Sequence, residues 1–224
     1  MFFRYELLND VNLKHVQDFY SFSDFNDGAR TGASDKRIKN NVEMQDEHSK
    51  AAWNIIWDNF QKHIIPTHYM WTCTSTVALF IKYTEGMHYN WHCDSPYMGG
   101  GARTDFSTTV FLNEPDEYEG GELVLKQGTE TFEVKLPAGW AFTYPTGTSH
   151  MVKEVTSGER NVAVFWSTSM FRCEEDRRIA TYNYEMKEEL LKLYPNATSP
   201  DDIHYDITRM QDQQLNALMR YKAY

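Results

Sequence analysis

His92-Cys93-Asp94 is the place where residue types and spacing first suggest chemistry. On a β-strand, residues i and i+2 face the same way, so an imidazole and a carboxylate would converge on one point. Those are two of the three donors of the facial triad that binds non-haem iron(II) and leaves positions open for oxygen chemistry. Alone, His-x-Asp is a weak signal, and the third donor must come from a distant strand. His150 opens a strand after the turn Tyr144-Pro145-Thr146-Gly147, a place that suits a structural histidine equally well. Arg160, ten residues on, heads the next strand, and alternation puts Arg160, Val162, Val164 and Trp166 on one face. An arginine leading an apolar face is costly unless an anion meets it there. Its planar fork grips a carboxylate through two parallel hydrogen bonds, and the far carboxylate of 2-oxoglutarate is such a group.

The elements that must position these residues fall into three stretches of a single domain, 1–224. Residues 1–70 read as mainly helical, with amphipathic candidates at 12–20 and 48–65, the second ended by Pro66. A polar loop, 24–45, lies between them. Residues 71–170 form the catalytic core of short β-rich runs, at 77–83, 106–113, 122–126, 131–136, 140–144, 150–155 and 160–168. Glycine- and proline-bearing turns separate them. Strands this short and this evenly spaced predict a sandwich or jelly roll. Residues 171–224 form a helical tail, with one helix at 174–193 and a second at about 200–221 capped by Ser199. The expected class is mainly β with flanking helices.

The chain has 224 residues, 41% of them hydrophobic, enough for one core without disorder. Its net charge of −10 speaks against a nucleic-acid partner, which needs a basic patch. Cys73, Cys93 and Cys173 form no CxxC pair, which argues against a zinc knuckle or a disulfide framework and for buried or reduced thiols. No run is apolar and long enough for a signal peptide or a membrane span, so a soluble, cytoplasmic protein is expected.

The order His-x-Asp, distant His, then Arg resembles the 2-oxoglutarate/iron(II) dioxygenase superfamily. The longer run is similar to the bacterial PKHD-type hydroxylases, relatives of the prolyl 4-hydroxylase catalytic domain. The shared pieces are Tyr83-Thr84-Glu85-Gly86-Met87, His92-Cys93-Asp94-Ser95-Pro96, Arg103-Thr104-Asp105-Phe106-Ser107, Tyr118-Glu119-Gly120-Gly121-Glu122-Leu123, Leu136-Pro137-Ala138-Gly139 and the run 160–170. Upstream, Asp27-Gly28 and Lys39-Asn40-Asn41 match that family's N-terminal part.

The resemblance implies a double-stranded β-helix, the cupin-like jelly roll. It implies Fe(2+) held by His92, Asp94 and His150, and 2-oxoglutarate anchored by Arg160. Tyr83 matches a tyrosine that helps hold the co-substrate, although a tyrosine here could simply be packed. The implied reaction consumes O2, releases succinate and CO2, and hydroxylates a protein side chain such as prolyl, or a small molecule, with L-ascorbate as reductant. Asp94 favours hydroxylation, since related halogenases lack this carboxylate. The rival readings are a non-catalytic β-helix ligand-binding module and a nucleic-acid demethylase of the same superfamily. The four intact site residues oppose the first, and the negative charge opposes the second.

Arg103 and Asp105 could bind substrate or pair with each other. Trp91 could narrow the substrate mouth. Gly99-Gly100-Gly101 reads as a lid beside the metal, and Trp166 as core. The tail's apolar stripes, Ile179, Tyr182, Met186, Leu190 and Leu193 in one helix and Ile207, Met210, Leu215, Leu218 and Met219 in the other, must bury against something. They would either brace the sheet or form a two-fold homodimer contact.

Overall fold

A computed structural model describes residues 1–28, 31, 35–44, 47–98 and 101–222. Strand β1 (Phe3–Glu6) and helix α1 (Asp10–Phe22) precede three short strands, β2 (Phe25–Asp27), β3 (Lys39–Asn40) and β4 (Val42–Met44), and helix α2 (Glu47–Phe60). A π-helical turn, Ile65–Tyr69, leads to β5 (Thr72–Ser75), β6 (Leu79–Tyr83), β7 (His88–His92), β8 (Tyr97–Met98), β9 (Ala102–Arg103) and β10 (Phe106–Phe111). Next come β11 (Tyr118–Gly120), β12 (Leu123–Gln127), β13 (Glu130–Val134), β14 (Trp140–Pro145), β15 (His150–Val152), β16 (Val155–Gly158) and β17 (Arg160–Ser169). Helices α3 (Glu174–Leu193) and α4 (Tyr205–Lys222) end the chain.

Residues 1–63 and 74–168 form one compact unit. Its larger sheet runs β1-β14-β10-β17-β6-β4-β2, and its smaller sheet runs β13-β12-β15-β7-β3. Both are antiparallel. One core cluster takes Ile81, Phe111, Tyr144 and Val162 from the larger sheet and Leu123, Leu125, Val134 and Val152 from the smaller. This is the jelly roll expected from the turn spacing, in the double-stranded β-helix form that the resemblance implies. Helices α1 and α2 cover the outer face of the larger sheet. Ala52, Ile56 and Phe60 recur every fourth residue and are buried, with the Phe60 ring edge-on to Phe165 of β17 at 4.9 Å. Tyr20 of α1 donates to the Val162 carbonyl at 2.7 Å.

The N-terminal stretch departs from its helical expectation. Strand β1 joins the larger sheet edge, and the supposed polar loop carries β2, β3 and β4. These strands have two to four residues each, too short for alternation to register. The 48–65 helix ends at Phe60, and Pro66 sits inside the first turn of the π-helical segment.

Residues 64–73 and 169–224 form the second unit. Trp71, Phe171 and Ala180 are buried there, with Tyr184, Leu215, Leu218 and Met219 packed against them. The tail thus covers part of its apolar stripe within its own unit, while Ile179, Tyr182, Met186, Leu193, Ile207 and Met210 remain exposed. Helix α3 matches its expected bounds. Helix α4 starts at Tyr205, because residues 200–204 form turns in which Asp202 accepts the His204 N–H at 2.8 Å; Ser199 caps nothing. All three cysteines are exposed and none forms a disulfide, so of the two readings, buried or reduced, the thiols are reduced and not buried.

Gly121 shows how tightly the core is fitted. It has φ +64°, and a Cβ there would lie 2.9 Å from Arg160 Cδ and 3.0 Å from Val155 Cγ2. Gly128 shares the φ of +64° but has open space around it. Gly128→Ala should cost about 1 kcal/mol from conformation alone. Gly121→Ala should cost roughly 2–4 kcal/mol once overpacking adds. Urea unfolding of both variants checks this; equal losses would remove the packing argument.

Candidate metal centre and its cavity

Strand register creates the histidine pair. β15 lies between β12 and β7 in the smaller sheet, and His150 sits directly opposite His92 across the β15–β7 ladder. Cross-strand neighbours approach closely, and the two rings lie 4.2 Å apart between centroids. Asp94 arrives differently from the sequence expectation. β7 ends at His92, so alternation along a strand does not aim the carboxylate. Two donors hold it instead: Ser107 Oγ of β10 and Trp166 Nε1 of β17, each 2.8 Å from Asp94 Oδ2. Oδ1 is left 3.6 Å from His92 Nε2, while Oδ2 lies 3.8 Å from His150 Nε2. One donor atom from each residue falls within 4.8 Å of the other two.

The imidazoles are set in the tautomer that a metal needs. His92 Nδ1 lies 2.7 Å from the Asn90 carbonyl, and His150 Nδ1 lies 2.9 Å from the Thr148 carbonyl. A carbonyl only accepts, so Nδ1 carries the proton and the Nε2 lone pair faces Asp94. Burial, followed by the neighbouring His150, pushes the His92 imidazole down to about 4, which keeps it neutral at neutral pH. The Tyr89 ring stacks on His92 at 3.6 Å between centroids and fixes its plane.

These three residues line a cavity of about 150 Å³. Its apolar walls include Leu79, Ile81 and Val164 from the larger sheet and Leu123 and Val152 from the smaller. Two buried cations also reach it, and they differ. Lys39 is spent: its Nζ donates to Glu43 Oε1 and the Gly28 carbonyl, each at 2.8 Å, and to Thr31. Arg160 is not spent. It is 1% exposed, its guanidinium lies 5.1 Å from the Tyr83 ring centroid and 5.6 Å from that of Phe111, and its Nε has no hydrogen-bond partner among the described residues. No carboxylate among the described residues pairs with it. A buried charge in this condition calls for an anion from outside. Tyr83 faces Arg160 across the β6–β17 ladder, and its oxygen accepts from Asn41 Nδ2 at 3.1 Å.

His92, Asp94, His150, Arg160 and Tyr83 therefore share one cavity. The other expected site residues lie outside its lining. Arg103 and Asp105 form a bidentate ion pair, with Nη2 to Oδ2 at 3.0 Å. Trp91 is 40% exposed beneath the Lys126 ammonium, which sits 4.5 Å from its ring centroid. Gly99 and Gly100 of the expected lid lie outside the described residues. Trp166, read as core, turns out to line the cavity and to donate to Asp94. A buried indole N–H seeks an acceptor, and the shared face with Arg160 was the signal for it. Ser107 and Asn41 carried no such signal, since their partners are distant in sequence, and Tyr89 carried none because its stacking on His92 depends on side-chain geometry.

A double-stranded β-helix with a His-Asp-His donor set and an unneutralised arginine in one cavity defines an iron(II)- and 2-oxoglutarate-dependent oxygenase. Residues 78–168 match the model of the 2OG-Fe(II) oxygenase superfamily. A PKHD-type hydroxylase of Acaryochloris marina is 37% identical over 180 residues, covering 78% of this chain and 80% of that protein. One of Hyphomonas neptunium is 36% identical over 196 residues, covering 81% and 83%. Among solved structures, a prolyl-4-hydroxylase of Pseudomonas putida shares the fold with TM-score 0.55 at 17% identity, over 75% of this chain and 92% of that one. A prolyl hydroxylase of Trichoplax adhaerens, solved with a hypoxia-inducible-factor peptide, has TM-score 0.54 at 17% identity, over 80% and 86%. The chain belongs to the PKHD-type hydroxylases. It is a 2-oxoglutarate-dependent iron(II) dioxygenase.

Trp166→Phe keeps the ring and removes the donor to Asp94. Divalent-metal affinity should fall at least tenfold, the usual cost of losing a hydrogen bond that orients a ligand, with the fold intact. Manganese(II) calorimetry reads this directly; unchanged affinity would mean that Trp166 does not orient the carboxylate.

Proposed function

We propose that His92, Asp94 and His150 hold one ferrous ion, and that Arg160 and Tyr83 bind 2-oxoglutarate through its far carboxylate. What supports the reading is a buried guanidinium without a counter-ion in the same cavity as three converging metal donors. When bound, iron supplies the oxidative decarboxylation of 2-oxoglutarate by O2 to succinate and CO2, with one oxygen atom placed in a substrate C–H bond. The chain's own work is to hold both Nε2 lone pairs and Asp94 Oδ1 toward one point, to fix the co-substrate by one end, and to keep water off with the apolar walls. Ascorbate is the proposed reductant, in keeping with the family.

A cavity of about 150 Å³ is well under the roughly 300 Å³ at which drug-sized sites begin. It suits the co-substrate plus a small reactive tip of the substrate. A polypeptide side chain such as prolyl fits that description, in line with the peptide in the Trichoplax complex. A small molecule presenting one C–H bond is the second reading. Arg103, Asp105 and Trp91 take no part at the metal in this proposal, and any substrate contact of theirs is made outside the cavity. The exposed apolar residues of α3 and α4 are proposed as a two-fold homodimer contact. The exposed cysteines and the absence of any membrane-spanning helix among the described residues accord with a cytoplasmic setting.

Arg160→Ala should weaken 2-oxoglutarate by roughly 3 kcal/mol, about a hundredfold, while metal binding persists. Arg160→Lys should recover only part, since an ammonium is a point charge and not a fork. Succinate formation at rising 2-oxoglutarate concentration measures both, and an unshifted requirement in the alanine variant would remove the anchor. Light scattering at micromolar concentration should give twice the mass of one chain; a monomer at every concentration would remove the dimer.

A further inference from the structure

We propose that Asn41 is a positioning residue for the co-substrate, acting by fixing the direction in which the Tyr83 hydroxyl gives its proton. This rests on the reading that Tyr83 and Arg160 bind 2-oxoglutarate. Asn41 is the single residue between β3 and β4. β3 pairs with β7 of the smaller sheet, placing Lys39 opposite Tyr89, and β4 pairs with β6 of the larger sheet, placing Glu43 opposite Ile81. The chain therefore crosses from the sheet that carries His92 and His150 to the sheet that carries Tyr83 and Arg160 at this one residue. Asn41 is 2% exposed, and its amide donates to the Tyr83 oxygen at 3.1 Å.

An amide N–H can only donate. It takes up the acceptor side of the phenol, so the Tyr83 proton must leave in another direction. Among the described residues nothing accepts it. The ring lines the cavity beside Arg160, and burial raises the phenol above its ordinary value, which keeps the proton in place. That proton is a second donor to a carboxylate held by Arg160. The amide is itself wedged. Gly28 N–H donates to the Asn41 backbone carbonyl at 3.0 Å, which seats Gly28 against the side chain, and a Cβ on Gly28 would fall 1.9 Å from Asn41 Oδ1. The Lys39–Glu43 pair closes the same corner, with Lys39 on the Gly28 carbonyl. Glycine at position 28 is thus what lets the amide reach Tyr83.

The test is calorimetric binding of 2-oxoglutarate to manganese(II)-loaded protein, with manganese affinity and thermal unfolding as controls. Tyr83→Phe removes the donor and should weaken binding about tenfold, as for one hydrogen bond to a charged group. Asn41→Ala should weaken it several-fold. Asn41→Asp should weaken it at least as much as Tyr83→Phe, because a carboxylate accepts the phenol proton and turns it away from the cavity. Gly28→Ala, which displaces the amide without touching it chemically, should act like Asn41→Ala and serves should Asn41→Asp fail to fold. In a Tyr83→Phe background, Asn41→Ala should add less than twofold, whereas a merely structural role would persist there. If Tyr83→Phe weakens binding and the Asn41 variants do not, or if their effect survives in that background, the positioning role is wrong and the co-substrate reading stands. If Tyr83→Phe binds 2-oxoglutarate normally, the reading of Tyr83 fails and the inference falls with it.

Discussion

A guanidinium buried to 1% exposure with no carboxylate paired to it among the described residues is the constraint on which the rest of this molecule depends. Taking such a charge out of water costs several kcal/mol unless an anion or aromatic faces offset it. The fold offsets it in part. Tyr83 and Phe111 turn their rings toward the cation, worth about 1–2 kcal/mol in a desolvated site. Gly121 withholds a side chain so that the arginine stem can pass. What remains is a buried positive charge at one side of a cavity whose walls there include the apolar Leu79, Ile81 and Val164. The contrast with Lys39 is instructive: equally buried, it is neutralised by Glu43 and draws no ligand.

The two sheets divide the chemistry. The smaller sheet supplies both imidazoles through a single pair of opposed residues, so their spacing is fixed by backbone register and not by side-chain rotamers. The larger sheet supplies Arg160 and Tyr83, again as an opposed pair. Asp94 belongs to neither ladder. It leaves the end of β7 and is caught by Ser107 and Trp166, both on strands of the larger sheet. The carboxylate therefore links the two sheets beside the two imidazoles, and Asn41 links them again beside Tyr83 and Arg160.

The turns made a sandwich or jelly roll legible, the family resemblance narrowed it to the β-helix, and plain alternation gave the inward face of β17. That His92, Asp94, His150 and Arg160 come together in one cavity was readable from residue type and order. Other features were hidden for physical reasons. Strands β2, β3 and β4 are too short for a period-two signal. The start of α4 depends on an Asp202 turn that competes with Ser199 for the cap. Asp94 looked like a strand residue, although tertiary hydrogen bonds aim it. Trp166 looked like core because hydrophobicity cannot tell a packed indole from one whose N–H holds a carboxylate. For Arg103 and Asp105 the sequence left substrate binding and mutual pairing open, and the two charges do pair.

One measurement bears most directly on the account that three converging donors and one unneutralised arginine build a single iron and 2-oxoglutarate site. It is an anaerobic titration of ferrous ion into the protein with 2-oxoglutarate present, followed by visible absorption. The account predicts a weak charge-transfer band that saturates at one iron per chain and is lost when Asp94 is replaced by Ala. A band that survives in Asp94→Ala, or one that never forms although iron binds, would contradict it.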